Sequence, residues 1–170
     1  MLHNLNWLVE TLSKKHERRT FDSGEPALND YLSKFALQNA KNNLSKTFVA
    51  LTVEKPATIL GFYTLSAASI DVETLPQEFR NKLPRYPVPM ARLSRLAVDK
   101  TMQGKGLGQF LLMDSLQRCA NLAEQLGLFG VLVDAKHEQA KSFYQKYGFR
   151  ELVNQPLTLF IPIKTINAIL

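Results

Sequence analysis

Apolar positions change period several times along this chain, and the changes mark its elements. Over residues 107–126, Leu112, Leu116, Cys119, Ala123 and Leu126 follow at four- and three-residue steps, which is the spacing of one helix face. Gly127 and Gly130 bracket the end of that helix, and the apolar run 131–135 after it suits a buried parallel strand. A further helical stretch carries Ala140, Phe143, Tyr144 and Tyr147 and closes at Gly148. Upstream, residues 27–43 read as an amphipathic helix with Leu28, Tyr31, Leu32, Phe35 and Ala36 inward. The turn before it offers Asp22 or Ser23 as a cap. Residues 7–12, 91–98 and 157–163 read as strands, and 48–53 and 59–65 as a β-hairpin around Pro56. Pro76, Pro84, Pro87 and Pro89 keep residues 74–90 extended or turning. The sum is a mixed α/β sheet, in one domain over residues 1–170.

The strand at 91–98 leads into Gln103-Gly104-Lys105-Gly106-Leu107-Gly108, which opens the long helix. Alternating glycines leave the backbone amides uncovered, and a helix start adds N–H groups without intrahelical partners and the positive end of the dipole. Such a turn is a cradle for phosphate or pyrophosphate. Spacing argues against two common uses. A nucleotide-hydrolysing loop places Ser or Thr after its lysine, whereas Gly106 follows Lys105. The dinucleotide fingerprint Gly-x-Gly-x-x-Gly is missed by one residue. A plain glycine-rich turn before a helix stays open at this point.

Gln-x-x-Gly-x-Gly, as it stands at 103–108, resembles the pyrophosphate loop of the GNAT acyltransferases, and Phe143-Tyr144-Gln145-Lys146-Tyr147-Gly148-Phe149 resembles their "FYxxxGF" signature. The two motifs stand in the family's order, and the resemblance covers roughly residues 45–163. It implies a GNAT fold, α/β (α+β), with a mixed central sheet of about six to seven strands that splays at a bulge and is flanked by about four helices, and it implies acetyl-CoA as co-substrate and no metal. It also implies that backbone groups of Leu96, Ala97 and Val98 pair with the pantetheine arm. Gln103, Gly104, Lys105, Gly106, Leu107 and Gly108 would hold the pyrophosphate. Tyr144 would sit beside the sulfur and stabilise the leaving thiolate; periodicity alone allows it to be core filling. Many family members carry asparagine at the position of His137. That departure leaves His137 either as a substitute contact or as a polar residue near the helix start. No general base is evident, and an amine with pKa near 8 needs little help at neutral pH.

A narrower resemblance extends over most of the chain. The segments 21–24 and 28–32, together with 91–99, 103–108 and 133–135, resemble the acetyltransferase toxins of bacterial type II toxin–antitoxin modules. It implies acetylation of the amino group of aminoacyl-tRNA, which blocks peptide-bond formation and stops translation. It further implies a homodimer and a ribbon–helix–helix antitoxin, with operator DNA contacted only through the antitoxin. Other functions with the same cofactor half stay open: acetylation of a small amine or a protein amino terminus, and a non-catalytic acetyl-CoA-binding module. DNA binding by the chain itself ranks low, because no recognition-helix motif is evident.

Charge and cysteine content narrow the picture further. Lys and Arg number 21 against 15 Asp and Glu, a net charge of +6 that is compatible with RNA but modest. Arg92 and Arg95 lie on the strand leading to the glycine loop and Arg85 in the proline-rich loop, so these three are the candidate substrate contacts. The run Lys14-Lys15-His16-Glu17-Arg18-Arg19 reads as a solvated helix face. A lone cysteine, Cys119, on an apolar face reads as core. There is no Cys/His pattern with metal spacing, no membrane-length apolar stretch and no signal core, so the bacterial cytoplasm is the expected compartment.

Overall fold

The computed structural model describes residues 6–170. Its strands are β1 (Trp7–Thr11), β2 (Lys46–Thr52), β3 (Gly61–Ile70), β4 (Val88–Val98), β5 (Gly130–Asp134), β6 (Arg150–Leu152) and β7 (Gln155–Pro162). They form a seven-stranded sheet in the order β1-β2-β3-β4-β5-β7-β6. β4 and β5 are parallel, while β1–β2, β2–β3, β5–β7 and β6–β7 are antiparallel, so the sheet is mixed as expected. The residues divide into two compact units.

The first unit holds the described chain up to Ser66 together with Ser94–Ser115. β2 is buried from Thr47 to Leu51, so both of its faces must be covered. On one face, Val49 and Leu51 join Leu12, Phe21, Leu28, Tyr31, Leu32, Ala36 and Phe62 in a single apolar cluster. On the other, Phe48 stacks on Tyr63 at 5.2 Å; back on the face of Val49, the buried hydroxyls of Thr47 and Thr64 satisfy each other at 2.7 Å. Where the long helix starts, it approaches the sheet closely. A Cβ on Gly61 would lie 2.8 Å from Leu111 Cδ1 and 2.9 Å from the Ala97 carbonyl.

Three expectations change in this unit. The helix expected over 27–43 is α1 (Pro26–Asp30), a π-helical turn (Tyr31–Phe35) and α2 (Ala36–Lys41) in succession. Within the turn, the Ala36 N–H reaches back to the Tyr31 carbonyl, one residue further than α-helix geometry. The extra residue shifts the phase, so Leu28, Tyr31, Leu32 and Ala36 stay inward while Phe35 is 54% exposed. Asp22 and Ser23 do not cap this helix; its N-cap is Glu25, without a side-chain cap bond. The run 14–19 is a turn rather than a helix, and its histidine points inward. There His16 Nδ1 accepts the Ser13 N–H at 3.0 Å, and Nε2 meets Glu10 Oε1 at 3.0 Å.

The second unit holds Ala67–Leu93 and Leu116–Leu170. Its core gathers Val72, Leu75, Val88, Met90, Leu132, Leu152 and Phe160. The proline-rich segment is more structured than expected: a 3-10 turn at Val72–Thr74 precedes α3 (Gln77–Arg80), which starts directly after Pro76. Phe79 of α3 sets its ring edge-on to Phe129 and Phe160 at 6.0 and 5.5 Å. The long helix, α4 (Leu107–Leu122), ends earlier than its periodicity suggests. Its chain tightens into i→i−3 bonds at Glu124 and Gln125 ahead of Gly127, which leaves Leu126 57% exposed. Cys119 is fully buried, and burial pushes its thiol up to about 12. It packs the core and is no nucleophile. α5 (Glu138–Lys146) follows β5, and α6 (Ile163–Ile169) starts after Pro162. β6 and α6 were not expected from the sequence, since one is three residues long and the other only seven. Among the described residues, no helix is long and apolar enough to cross a membrane.

Candidate active site

The glycine loop is built from the end of β4 outward. Asp99 accepts the Thr101 N–H at 3.1 Å and the Thr101 hydroxyl at 2.7 Å, winding residues 100–102 into a short 3-10 turn. Its other carboxylate oxygen accepts the Asp22 N–H at 2.9 Å, and the Lys100 N–H returns to the Asp22 carbonyl at 2.8 Å. Burial works to raise the Asp99 carboxyl. The N–H of Asp22 and the hydroxyl and N–H of Thr101 outweigh it and hold the group below the usual carboxylate range. Asp22 is lowered as well, first by the Gly24 N–H, then by Asn29 and Lys100. These bonds fasten the loop to segment 22–24.

Gln103 completes this brace. Its side-chain amide donates to the Val98 carbonyl and to the Ser23 carbonyl, both at 3.0 Å. With both N–H bonds spent internally, Gln103 offers a ligand mainly its backbone. Gly104 and Gly106 take φ of +78° and +88°, the left-handed region that side chains avoid. A Cβ at either would meet nothing within 4 Å, so the backbone there faces open space. Lys105 between them is exposed, while Leu107 is buried and can contribute only its amide. Gly108 differs, because a Cβ there would make ordinary contact with Val98 at 3.8 Å. The first intrahelical bond of α4 is Phe110 N–H to the Gly106 carbonyl, which leaves the amides of the preceding turn for an anion.

Leu96, Ala97 and Val98 lie on β4 beyond the last residue that pairs with β5. The parallel ladder runs from Met90↔Gly130 to Leu93↔Val133, and β4 continues to Val98. Ala97 is buried in the first unit's core, whereas Leu96 and Val98 are half-buried.

Tyr144 sits half-buried on α5, edge-on to Phe143 and Phe149 at 5.2 and 5.4 Å. Burial pushes its phenol up to about 12. The group therefore stays protonated at neutral pH, and among the described residues its hydroxyl makes no hydrogen bond. His137 is the N-cap of α5, its Nδ1 accepting the Ala140 N–H at 3.1 Å. His137→Ala is expected to cost about 1 kcal/mol and about 2–4 °C in Tm, while His137→Asn keeps the cap. Thermal melts of both variants check this; an unchanged Tm for the alanine variant would remove the capping role.

The three arginines expected at the substrate stand in different surroundings. Arg92 is ion-paired with Asp134, whose second oxygen accepts the Thr158 hydroxyl at 3.1 Å. Arg95 stands over the Tyr31 ring, its Cζ 3.6 Å from the ring centroid. Arg85 is exposed on the loop before β4. Asp99, Asp134 and Tyr31 escaped the sequence reading. The Asp-x-Thr pattern at 99–101 was a readable turn signal, whereas the Asp22–Asp99 and Arg92–Asp134 partnerships span 77 and 42 residues.

Comparison with known proteins identifies relatives of this chain. The family described as "Acetyltransferase (GNAT) domain" matches residues 82–158. A tRNA-acetylating toxin of Mycobacterium tuberculosis is 38% identical over 159 residues, covering 94% of this chain and 93% of that protein. Among solved structures, AtaT complexed with acetyl-methionyl-tRNAfMet has a TM-score of 0.91 at 28% identity, covering 96% of this chain and 99% of that one. A tyrosine-to-phenylalanine variant of AtaT, bound to the C-terminus of the antitoxin AtaR and acetyl-CoA, has a TM-score of 0.82 at 26% identity, covering 96% and 98%. A glycine loop that opens α4, a phenol kept protonated on α5 and a relative matched nearly end to end lead to one conclusion: the chain belongs to the GNAT acetyltransferases, in the family of the tRNA-acetylating toxins.

Proposed function

We propose that this protein is a toxin that transfers acetyl from acetyl-CoA to the α-amino group of aminoacyl-tRNA and so halts translation. The observation that carries the reading is the loop at 103–108. Two left-handed glycines face open space ahead of a 16-residue helix, which suits a pyrophosphate. Acetyl-CoA supplies an acyl group already activated as a thioester. The amides of residues 104–108 hold its phosphates, and the backbone of Leu96, Ala97 and Val98 orients the arm that carries the thioester. Attack by the amine forms the C–N bond and breaks the C–S bond. Tyr144 donates a hydrogen bond to the sulfur as negative charge develops there, and the amine's surplus proton passes to water. Arg85, Arg92 and Arg95 supply cationic contacts to the RNA. Asp134 is held by Arg92, so it is not a free base, and an α-amino group near pH 8 does not require one.

The wider assignment follows the same family. The chain acts as one catalytic domain, as a homodimer in the bacterial cytoplasm. It is neutralised by a ribbon–helix–helix antitoxin, which alone contacts operator DNA. The test is incubation of the purified protein with radiolabelled acetyl-CoA and total charged tRNA, with uncharged tRNA as control. Label on charged tRNA only is the expected result. Acetyl-CoA binding without label on tRNA would overturn the tRNA assignment in favour of a small-amine or protein acetyltransferase.

A further inference from the structure

Arg95 occupies an unusual setting for a cation. It is half-buried on β4, and among the described residues it forms no ion pair and no hydrogen bond. Arg92 and Arg150, by contrast, are each matched by a carboxylate, Asp134 and Glu78. A partly desolvated charge without a counter-charge is costly unless something outside the fold neutralises it. The guanidinium carbon nevertheless sits over the ring of Tyr31, 3.6 Å from its centroid. That ring is itself fixed. Tyr31 is 5% exposed at the start of the π-helical turn, and its hydroxyl meets Ser45 Oγ at 2.9 Å and Asn39 Nδ2 at 3.4 Å. The ring covers one face of the guanidinium and leaves its edge, a planar fork of N–H donors, unused. Such a fork matches two oxygens of a phosphate, which a lysine ammonium cannot do.

We infer that Arg95 binds a backbone phosphate of the RNA substrate through two parallel N–H···O bonds, and that Tyr31 is the positioning residue that aims it. This rests on the aminoacyl-tRNA reading above and adds which atoms of the RNA Arg95 recognises and what orients it. The same fork could take a phosphate of acetyl-CoA, so the test separates the two sources.

The experiment measures steady-state acetylation by the full-length enzyme and its Arg95→Lys, Tyr31→Phe and Tyr31→Leu variants. The amine is either charged tRNA or an aminoacyl-adenosine that carries no phosphate. Arg95→Lys keeps the charge and loses the fork, and it is expected to raise KM for charged tRNA about tenfold. The loss should be larger on charged tRNA than on aminoacyl-adenosine, and KM for acetyl-CoA should not rise. Because the charge is kept, the slope of log affinity for tRNA against log salt should stay close to that of the wild type. Tyr31→Phe keeps the ring and should behave like wild type, while Tyr31→Leu should reproduce the Arg95→Lys defect. Because Tyr31 is buried, melting curves accompany that variant, and Arg95→Lys decides alone if it fails to fold. A wild-type KM for charged tRNA in Arg95→Lys would overturn the assignment. A raised KM for acetyl-CoA instead would move Arg95 to the cofactor, and an equal loss on aminoacyl-adenosine would move it to the aminoacyl group. If the wild-type enzyme itself leaves charged tRNA unlabelled, the functional reading has failed and this assignment falls with it.

Discussion

Tyr144→Phe is expected to lower turnover on charged tRNA by about 10²–10³-fold while acetyl-CoA still binds. The substitution removes one oxygen and keeps the ring, so the edge-on contacts with Phe143 and Phe149 survive and the fold should not change. What is lost is a donor with no other partner among the described residues. Its burial also decides how it acts. A tyrosine near 10 faces a thiolate near 8.5, so giving up its proton completely is uphill even in water. With the phenol pushed up to about 12, it is more uphill still. Tyr144 therefore works by holding a hydrogen bond to the developing thiolate rather than by losing its proton outright. The pH dependence follows with a definite sign. Activity should rise as the attacking amine deprotonates around pH 8 and then stay level. A falling limb should appear only as Tyr144 ionises, close to its raised value. Rate–pH profiles with single-turnover labelling check both points. Undiminished acetylation by the phenylalanine variant would remove Tyr144 from the chemistry, and a falling limb near pH 9 would assign the donor to another group.

The parts of the fold that could be read in the sequence are those whose signal is local. The apolar runs of β2 and β5 and the inward face of α4 around Leu112, Leu116 and Cys119 came out of periodicity alone, because burial on one face repeats at a fixed interval. Periodicity failed where a local irregularity reset the phase. One extra residue in the π-helical turn sent Phe35 to solvent, and a change to i→i−3 bonding did the same for Leu126. Elements with too few residues to show a period, such as α3 and β6, were invisible. The candidate site divides along the same line. Gly104, Gly106 and Tyr144 stand in short motifs and were legible. Their supports were not: Asp22 beneath Asp99, Ser23 beneath Gln103, Asp134 beside Arg92 and Tyr31 under Arg95 are all partners distant in sequence. A motif names the residues that face the ligand, whereas the residues that aim them are chosen by the fold.

Gly106→Val is expected to weaken acetyl-CoA binding by on the order of 10–100-fold, and Gly108 supplies the control. At Gly106 the φ of +88° is strained for any side chain and worst for a β-branched one, with a cost of about 1–3 kcal/mol. Within the protein, however, the added carbon meets nothing within 4 Å, so no packing clash accompanies that strain. The new methyl groups would project instead into the open space beside the loop, the space that a phosphate has to enter to reach its amides. Those amides act only at hydrogen-bond distance, about 2.9 Å, and a side chain in front of them keeps the phosphate beyond it. Gly108→Ala places its methyl 3.8 Å from Val98, and Gly108 is not in the left-handed region, so its fold should keep its stability. Calorimetric titration with acetyl-CoA, paired with thermal melts, separates strain from crowding. The expected pattern is a modest fall in Tm for Gly106→Val together with a far larger loss of affinity, and little change in Tm for Gly108→Ala. Wild-type affinity in folded Gly106→Val would show that the phosphates bind elsewhere, and the loop would then be no more than the turn that starts α4.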